Sequence, residues 1–453
     1  MSGLEASTEK MRREGVGEAA IQSFADAYER LRGGESGVLP EAELEPVDDV
    51  PDADELPDAD AAEAMDRAVV IKLNGGLGTS MGMTGPKSLV EVKDGLTFLD
   101  IIVRQVLGLR ERTGARVPLV LMNSFSTRDA ALQALERHDG VRADVPLDFV
   151  QNKVPKLLAD GLEPAEWPGD PGLEWAPPGH GDLYTALVTS GMLDELLEHG
   201  YRYAFVSNAD NLGAVLDPRI LTWFAREELP FLSEVVDRTE SDRKGGHLAR
   251  RREDGGLVLR ETAQVPDEDQ DAFEDIQRHR YFNANNIWVN LRALKSALDE
   301  RDGVLGLPMI VNKKTVDPRD GSSPEVLQLE TAMGAAIGVF DGAAAIHVPR
   351  ARFAPVKTTS HLLVVRSDAY ELADDWTVRL APGRDDAPIV ELSDDFKLLP
   401  DFEAHFPSGP PSLIDDERLE VEGDVRFGRH VRVRGRVHVE GPAEIPDGTV
   451  LEG

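Results

Sequence analysis

Three charged side chains stand where phosphate chemistry would use them: Lys87, Asp210 and Lys357. Lys87 closes a loop crowded with Gly75, Gly76, Gly78, Gly82 and Gly85. Glycines let the backbone turn tightly and bring its N–H groups against a phosphate. The lysine at the loop's end adds a mobile positive charge. A glycine-rich loop alone is also an ordinary turn, and this one is neither G-x-x-x-x-G-K-[S/T] nor G-x-G-x-x-G. Asp210 follows the apolar run Tyr203-Ala204-Phe205-Val206-Ser207. A carboxylate at a strand end opposite a phosphate loop suits Mg²⁺, which takes one or two protein carboxylates beside phosphate oxygens. An aspartate that caps a turn would look the same. Lys357 lies in Phe353-Ala354-Pro355-Val356-Lys357, an apolar, strand-like setting. An unpaired ammonium is costly there, so it is expected to face an anion.

Neutral hydrogen-bonding groups are spread between these charges. Pro177-Pro178-Gly179-His180-Gly181-Asp182 is a loop of turn formers ahead of an apparent helix over residues 183–197. Its His180 reads as a surface residue or an anion contact. Lys244-Gly245-Gly246-His247-Leu248, Glu261-Thr262-Ala263-Gln264-Val265 and Phe282-Asn283-Ala284-Asn285-Asn286 hold the mixture of donors and acceptors that sugar hydroxyls need. Each of them alone reads as a turn. Gln151 ends an apolar run, and its amide offers one donor and one acceptor to a base edge. Lys153 and Lys156 follow as a basic rim or as spectators.

The elements that must position these groups alternate. Val69-Val70-Ile71 is a buried strand ahead of the glycine loop, and residues 98–111 follow with helical spacing. Further strands are expected over residues 117–122, 147–151, 203–207, 231–236 and 287–290. Such alternation implies an α/β fold, a Rossmann-like, mainly parallel sheet with helices on both faces. Ligands bind at the carboxyl ends of such strands. One cleft then collects the glycine loop, Met122, Gln151 and Asp210. We place this domain at residues 67–388. Residues 1–66 read as an N-terminal appendage, a helix over residues 16–31 and an extended acidic linker over 41–60. Residues 389–453 are expected to be a β-helix-like domain, because short apolar alternations are punctuated by Gly423, Gly428, Gly435, Gly441 and Gly448.

The 453 residues carry 49 basic and 83 acidic side chains, a net charge of −34. That surface repels nucleic acid and anionic membranes, and it makes basic groups near the glycine loop conspicuous. There is no cysteine, so disulfides and thiolate chemistry are excluded. No apolar stretch reaches membrane-spanning length and the N-terminus has no signal-peptide core, so a cytoplasmic location is expected.

The string Leu73-Asn74-Gly75-Gly76-Leu77-Gly78-Thr79-Ser80-Met81-Gly82, with Gly85-Pro86-Lys87-Ser88-Leu89 behind it, closely resembles the signature loop of eukaryotic-type UTP–glucose-1-phosphate uridylyltransferases. The loop at residues 177–182, the string Ser207-Asn208-Ala209-Asp210-Asn211-Leu212-Gly213-Ala214 and Pro355-Val356-Lys357-Thr358-Thr359-Ser360 match the same family. Residues 389–396 and 421–448 resemble its C-terminal domain. The resemblance implies a GT-A-like nucleotidyltransferase domain and Mg²⁺-dependent uridylyl transfer from UTP to α-D-glucose 1-phosphate by direct in-line attack. It assigns Lys87, Lys357 and Asp210 to catalysis, with Asp210 as metal ligand. Leu73, Asn74, Gly75, Gly76, Gly78, Met122, Gln151, Gly179, His180 and Asn208 would hold nucleotide and sugar phosphate, and Gly246, Glu261, Asn283 and Asn285 the sugar. His247 and Ala284 stand where many relatives carry Thr, and His361 replaces an Asp just outside the lysine site. Edges of the C-terminal strands are expected to support a homo-oligomer.

Overall fold

The structure, a computed structural model, describes residues 2–58, 60–384 and 386–453. Two helices open it, α1 (Gly3–Arg13) and α2 (Glu18–Arg32). A capping box starts α1: Ser2 accepts from the Glu5 N–H and Glu5 reaches back to the Ser2 N–H. Ile21, Phe24 and Tyr28 of α2 pack with Met11, Leu157 and Met309. The acidic stretch that follows is not a solvated linker. Leu44 and Glu45 pair with Arg251 and Arg250, and Val47 is buried. Glu41 accepts from Arg260 at 2.6 Å and from Arg278 at 2.7 Å. Residues 41–52 form a strap because Glu41, Glu45 and Asp52 meet basic partners on the body, which the sequence pattern alone does not reveal.

The body is built on β1 (Ala68–Asn74), α3 (Phe98–Thr113), β2 (Leu119–Asn123), β3 (Asp148–Val150), α4 (Leu183–Thr189), α5 (Met192–Glu198), β4 (Tyr203–Asn208), β5 (Phe231–Asp237), β6 (His247–Arg251), β7 (Tyr281–Asn290), β8 (Ala344–His347) and α6 (Thr359–Arg366). β3, β2, β1 and β4 run parallel, as do β5 and β8, while β7 is antiparallel to β4, β5 and β6. The result is a central, mainly parallel sheet in a mixed α/β fold. Both faces are buried, so side chains alternate between two cores. Val70, Leu121 and Phe205 join Ile101 and Ile102 of α3 on one face. Ile71, Val120 and Val206 join Leu183 and Leu187 of α4 on the other. The helix expected over residues 183–197 is interrupted between α4 and α5, where Gly191 turns left-handed at φ 76°. Among the described residues, no helix is long and apolar enough to cross a membrane.

After α6, β9 (Ile389–Leu392), β10 (Ser412–Glu422), β11 (Arg432–Glu440) and β12 (Val450–Glu452) pair successively in parallel. Their apolar side is not a separate core: Leu419, Val421 and Phe427 belong to the cluster that includes Phe98 and Leu363. Arg384 donates to the carbonyls of Leu413, Ile414 and Asp416, tying the strands to the body.

Asp416 is 1 % exposed, and neither carboxylate oxygen has a partner. Burial pushes it up to about 6, against the pull of Arg384. A carboxyl raised above its unfolded value stabilises least where it must ionise. The loss therefore begins as pH rises past the unfolded pKa and is complete above about 6. Asp416→Asn should raise the thermal midpoint by roughly 2 °C or more near pH 8. The gap should close towards about pH 4. Thermal unfolding at both pH values checks this.

Candidate active site

Register places the site. Leu73 of β1 lies opposite Asn208 of β4, so the loops after these two strands emerge side by side. In the first loop Gly78 and Gly82 adopt φ of 60° and 72°, where a side chain is strained. These bends fold the loop back, and the Lys87 N–H donates to the Gly76 carbonyl at 3.0 Å. Among the described residues, the amides of residues 75–78 donate no backbone hydrogen bond. A Cβ on Gly76 would meet nothing within 4 Å. The loop thus offers free donors on an open side.

Lys87 is not a mobile charge. Its ammonium donates to Asp210 Oδ2 at 2.7 Å, with both side chains mostly covered. Asp210 Oδ1 is buried and has no partner. A buried carboxylate oxygen left without a donor fits a hard cation such as Mg²⁺. The Asp210 carbonyl accepts from the Val356 N–H at 3.1 Å, and Asn211 Oδ1 accepts from the Ala354 N–H at 3.0 Å. The segment carrying Lys357 is therefore laid directly on the Asp210 loop. Lys357 itself is exposed rather than enclosed in a strand, because Thr358 caps α6 immediately after it. His361, one turn into α6, accepts at Nδ1 from the Lys357 N–H at 3.3 Å. Desolvation, Lys357 and Lys87 lower its pKa, and Asp210 opposes them. His361 thus sits beside the Lys357 main chain and feels the charges of Lys357, Lys87 and Asp210. Its four-residue spacing from Lys357 at a helix start was the available signal.

The sugar-type groups converge beside this charge cluster. A Cβ on Gly246 would lie 2.6 Å from Glu261 Oε2, so the bare glycine makes room for that carboxylate. Asn283 Nδ2 donates to Glu261 Oε1 at 3.4 Å, and Asn285 Nδ2 donates to Asn208 Oδ1 at 3.2 Å. Asn285 adopts φ 55°, and its Oδ1 is buried without a partner. Burial raises the Glu261 pKa, while Asn283 and Lys357 counter it. His247 is fully buried beneath this group, stacked on His279 at 3.9 Å, and Ala284 is buried as well. Neither departure lines the pocket.

On the other side, the Gln151 N–H donates to the Asn123 carbonyl at 2.8 Å, and the Gln151 amide lies against Gly75. Asn74 Nδ2 donates to Asn123 Oδ1 at 2.7 Å, joining the ends of β1 and β2. The Met122 side chain is in the core, so only its main chain is available at the strand end. His180 is in part exposed to solvent, yet the protein packed around its ring pushes it down to about 4. Its neutral Nδ1 accepts from the Met333 N–H at 2.9 Å. Lys156 is buried and donates to the Val316 carbonyl, and Lys153 pairs with Glu14 at 2.7 Å. Neither forms a free basic rim.

Gly179 adopts φ 78°, and a Cβ there would lie 2.4 Å from the Thr331 carbonyl oxygen. Gly179→Ala should therefore cost about 1 kcal/mol or more of stability. Gly76→Ala, with open space around it, should shift the thermal midpoint little. Calorimetry of the two variants checks the contrast.

The family model for UTP–glucose-1-phosphate uridylyltransferase matches residues 21–434. The chain is 44% identical over 421 residues to the enzyme of that name from Solanum tuberosum, covering 91% of this chain and 84% of the relative. It is 42% identical over 394 residues to the Saccharomyces cerevisiae enzyme, covering 86% and 77%. A UDP-glucose pyrophosphorylase of Leishmania major, solved with UDP-glucose, superposes with a TM-score of 0.94 at 45% identity, covering 100% of this chain and 98% of that one. A free-amide glycine loop over a lysine–aspartate pair, and similarity across nearly the whole length, agree: the chain belongs to the UTP–glucose-1-phosphate uridylyltransferase family of nucleotidyltransferases.

Proposed function

We propose that this chain transfers the uridylyl group of UTP to α-D-glucose 1-phosphate, yielding UDP-glucose and diphosphate, with Mg²⁺ held at Asp210. The observation that carries this reading is the meeting of Lys87, Asp210 and the Lys357 segment beside a loop with free amides. Asp210 Oδ1, with no partner, is the atom that would hold the metal. When bound there, Mg²⁺ supplies charge neutralisation at phosphate oxygens.

The chain's own residues bind and align. The amides of residues 75–78 and Lys87 take the triphosphate. Gln151, Gly75, Gly179 and the Met122 main chain frame the uracil, and Leu73 and Asn74 set the loop's start. Gly246, Glu261, Asn283, Asn285 and Asn208 hold the hexose, with His180 near its phosphate. The sugar phosphate is already anionic at neutral pH, so its oxygen attacks the α-phosphorus without a general base. One O–P bond forms as the bond to the leaving diphosphate breaks, in line, and no proton need move. Lys357 lies between attacking and leaving groups, where negative charge crowds most in the transition state.

The reading extends to a cytoplasmic enzyme with a catalytic domain at residues 67–388 and a β-helix-like domain at 389–453, which the parallel pairing of β9 to β12 supports. The N-terminal segment to residue 66 is its helical appendage, and the open edges of the C-terminal strands would join copies of the chain.

Diphosphate release across a panel of nucleoside triphosphates and sugar 1-phosphates tests this. UTP with glucose 1-phosphate should be preferred, and equal turnover with ATP would overturn it. Lys357→Met should lower kcat about a hundredfold with a smaller change in UTP affinity. Near-normal kcat in the folded variant would remove Lys357 from the mechanism.

A further inference from the structure

Lys72 is a charged side chain on β1 with 2 % exposure. It pairs in register with Ser207 of β4. Its ammonium donates to Ser207 Oγ at 2.7 Å and to the Ala214 carbonyl at 2.7 Å, with the Phe205 ring 5.8 Å away. Ser207 is the penultimate residue of β4, and Ala214 lies beyond the loop that follows. Asp210 sits between them. A single buried cation therefore grips both ends of the segment that presents the carboxylate. Packing alone does not require a charge here, since an apolar chain of the same length would fill the space without the desolvation cost. What an apolar chain cannot do is join Ser207 to Ala214.

We propose that Lys72 is a positioning residue for Asp210: its buried ammonium clips the two ends of the segment 207–214 together and fixes where the carboxylate meets a divalent cation. This rests on the reading of Asp210 as metal ligand. The electrostatics agree. Burial, then Arg352, lowers the Lys72 pKa to about 7, while Glu234 and Asp210 pull it back up. The ammonium is thus sustained in part by the carboxylate it positions. The segment has other supports as well: Lys87 donates to Asp210 Oδ2 at 2.7 Å, and Asn211 Nδ2 donates to the Arg352 carbonyl at 3.0 Å, but neither of these joins its two ends.

Lys72→Met keeps the stem and removes both donations, and Ser207→Ala removes one acceptor with little change of volume. Two readouts apply: hydrogen–deuterium exchange over residues 207–214, and the Mg²⁺ concentration giving half-maximal diphosphate release from UTP. In Lys72→Met, exchange should rise in that segment and not in neighbouring β1, and half-saturating Mg²⁺ should rise about tenfold. The KM for glucose 1-phosphate should stay near wild type. In Ser207→Ala the Mg²⁺ shift should be about threefold, the size expected for one hydrogen bond. If Lys72→Met does not fold, Ser207→Ala decides. Wild-type Mg²⁺ half-saturation in either folded variant, even with a lowered thermal midpoint, would make Lys72 a stability residue and overturn the proposal. Asp210→Asn is the control. An unchanged Mg²⁺ response there would overturn the metal assignment itself, while the exchange measurement would still read the clip.

Discussion

The buried ion pair between Glu234 and Arg352 is the interaction on which the rest of the site depends. Arg352 Nε and Nη2 donate to the two Glu234 oxygens at 2.9 and 2.6 Å, and Trp288 Nε1 and Asn286 Nδ2 donate to them at 3.0 Å each. Every lone-pair direction that matters is met, which is the condition under which a buried pair is tolerated. The pair spans elements far apart in sequence: Glu234 is on β5, Trp288 and Asn286 are on β7, and Arg352 begins the segment that leads to Lys357. The Arg352 carbonyl then accepts from Asn211. Removing one partner of such a pair typically costs about 3–5 kcal/mol. Here the cost would fall on the placement of Lys357 and Asp210 as well as on stability.

A chain of net charge −34 nevertheless gathers lysines around Asp210. Charges more than about 8 Å apart across solvent are largely screened at physiological salt. The acidic exterior therefore matters less to the electrostatics of this region than the cations beside Asp210. Lys87 and Lys357 supply those, and Asp210 is the acid set among them. Part of the acidic surface is engaged by basic partners, in the strap and in exposed pairs such as Arg418–Glu391.

Strands of alternating or continuous apolar residues were legible in the sequence, because burial on both faces leaves a direct pattern at residues 69–71 and 203–207. So were the glycine loop and Asp210, whose residue types are set by local backbone and charge. What could not be read was whatever depends on a distant partner. The strap at residues 41–52 looks solvated until Arg260 and Arg278 are seen beneath it. Lys156 looks like a rim residue until its burial is known. Lys357 sits among apolar residues in sequence, yet the N-cap at Thr358 turns it outward. The spacing of His361 from Lys357 at a helix start was legible, but its electrostatic exposure to Lys87 and Asp210 depends on segments distant in sequence. The C-terminal strands were recognisable by their turns, but not their fusion to the body's core.

Both appendages end on the site. Glu41 of the strap receives Arg260, the residue directly before Glu261, and His279, whose ring stacks on His247 directly after Gly246. The two residues that frame the sugar-type carboxylate are thereby braced from the N-terminal side. From the C-terminal side, Leu398 packs so closely on Gly82 that a Cβ there would lie 2.9 Å from it, and the Leu392 N–H donates to Ser360 Oγ at 3.2 Å, just beyond Lys357. The glycine loop folds on itself through the Met81, Gly82, Met83 and Lys87 amides, while among the described residues the amides of residues 75–78 donate no backbone hydrogen bond. Leu398 holds the loop at Gly82 through apolar contact that engages none of the amides of residues 75–78. The same division recurs at Asp210, whose carboxylate keeps one oxygen open while its main chain is tied to Val356. In each case the backbone or a neighbour carries the structural load and the chemical group is left unspent.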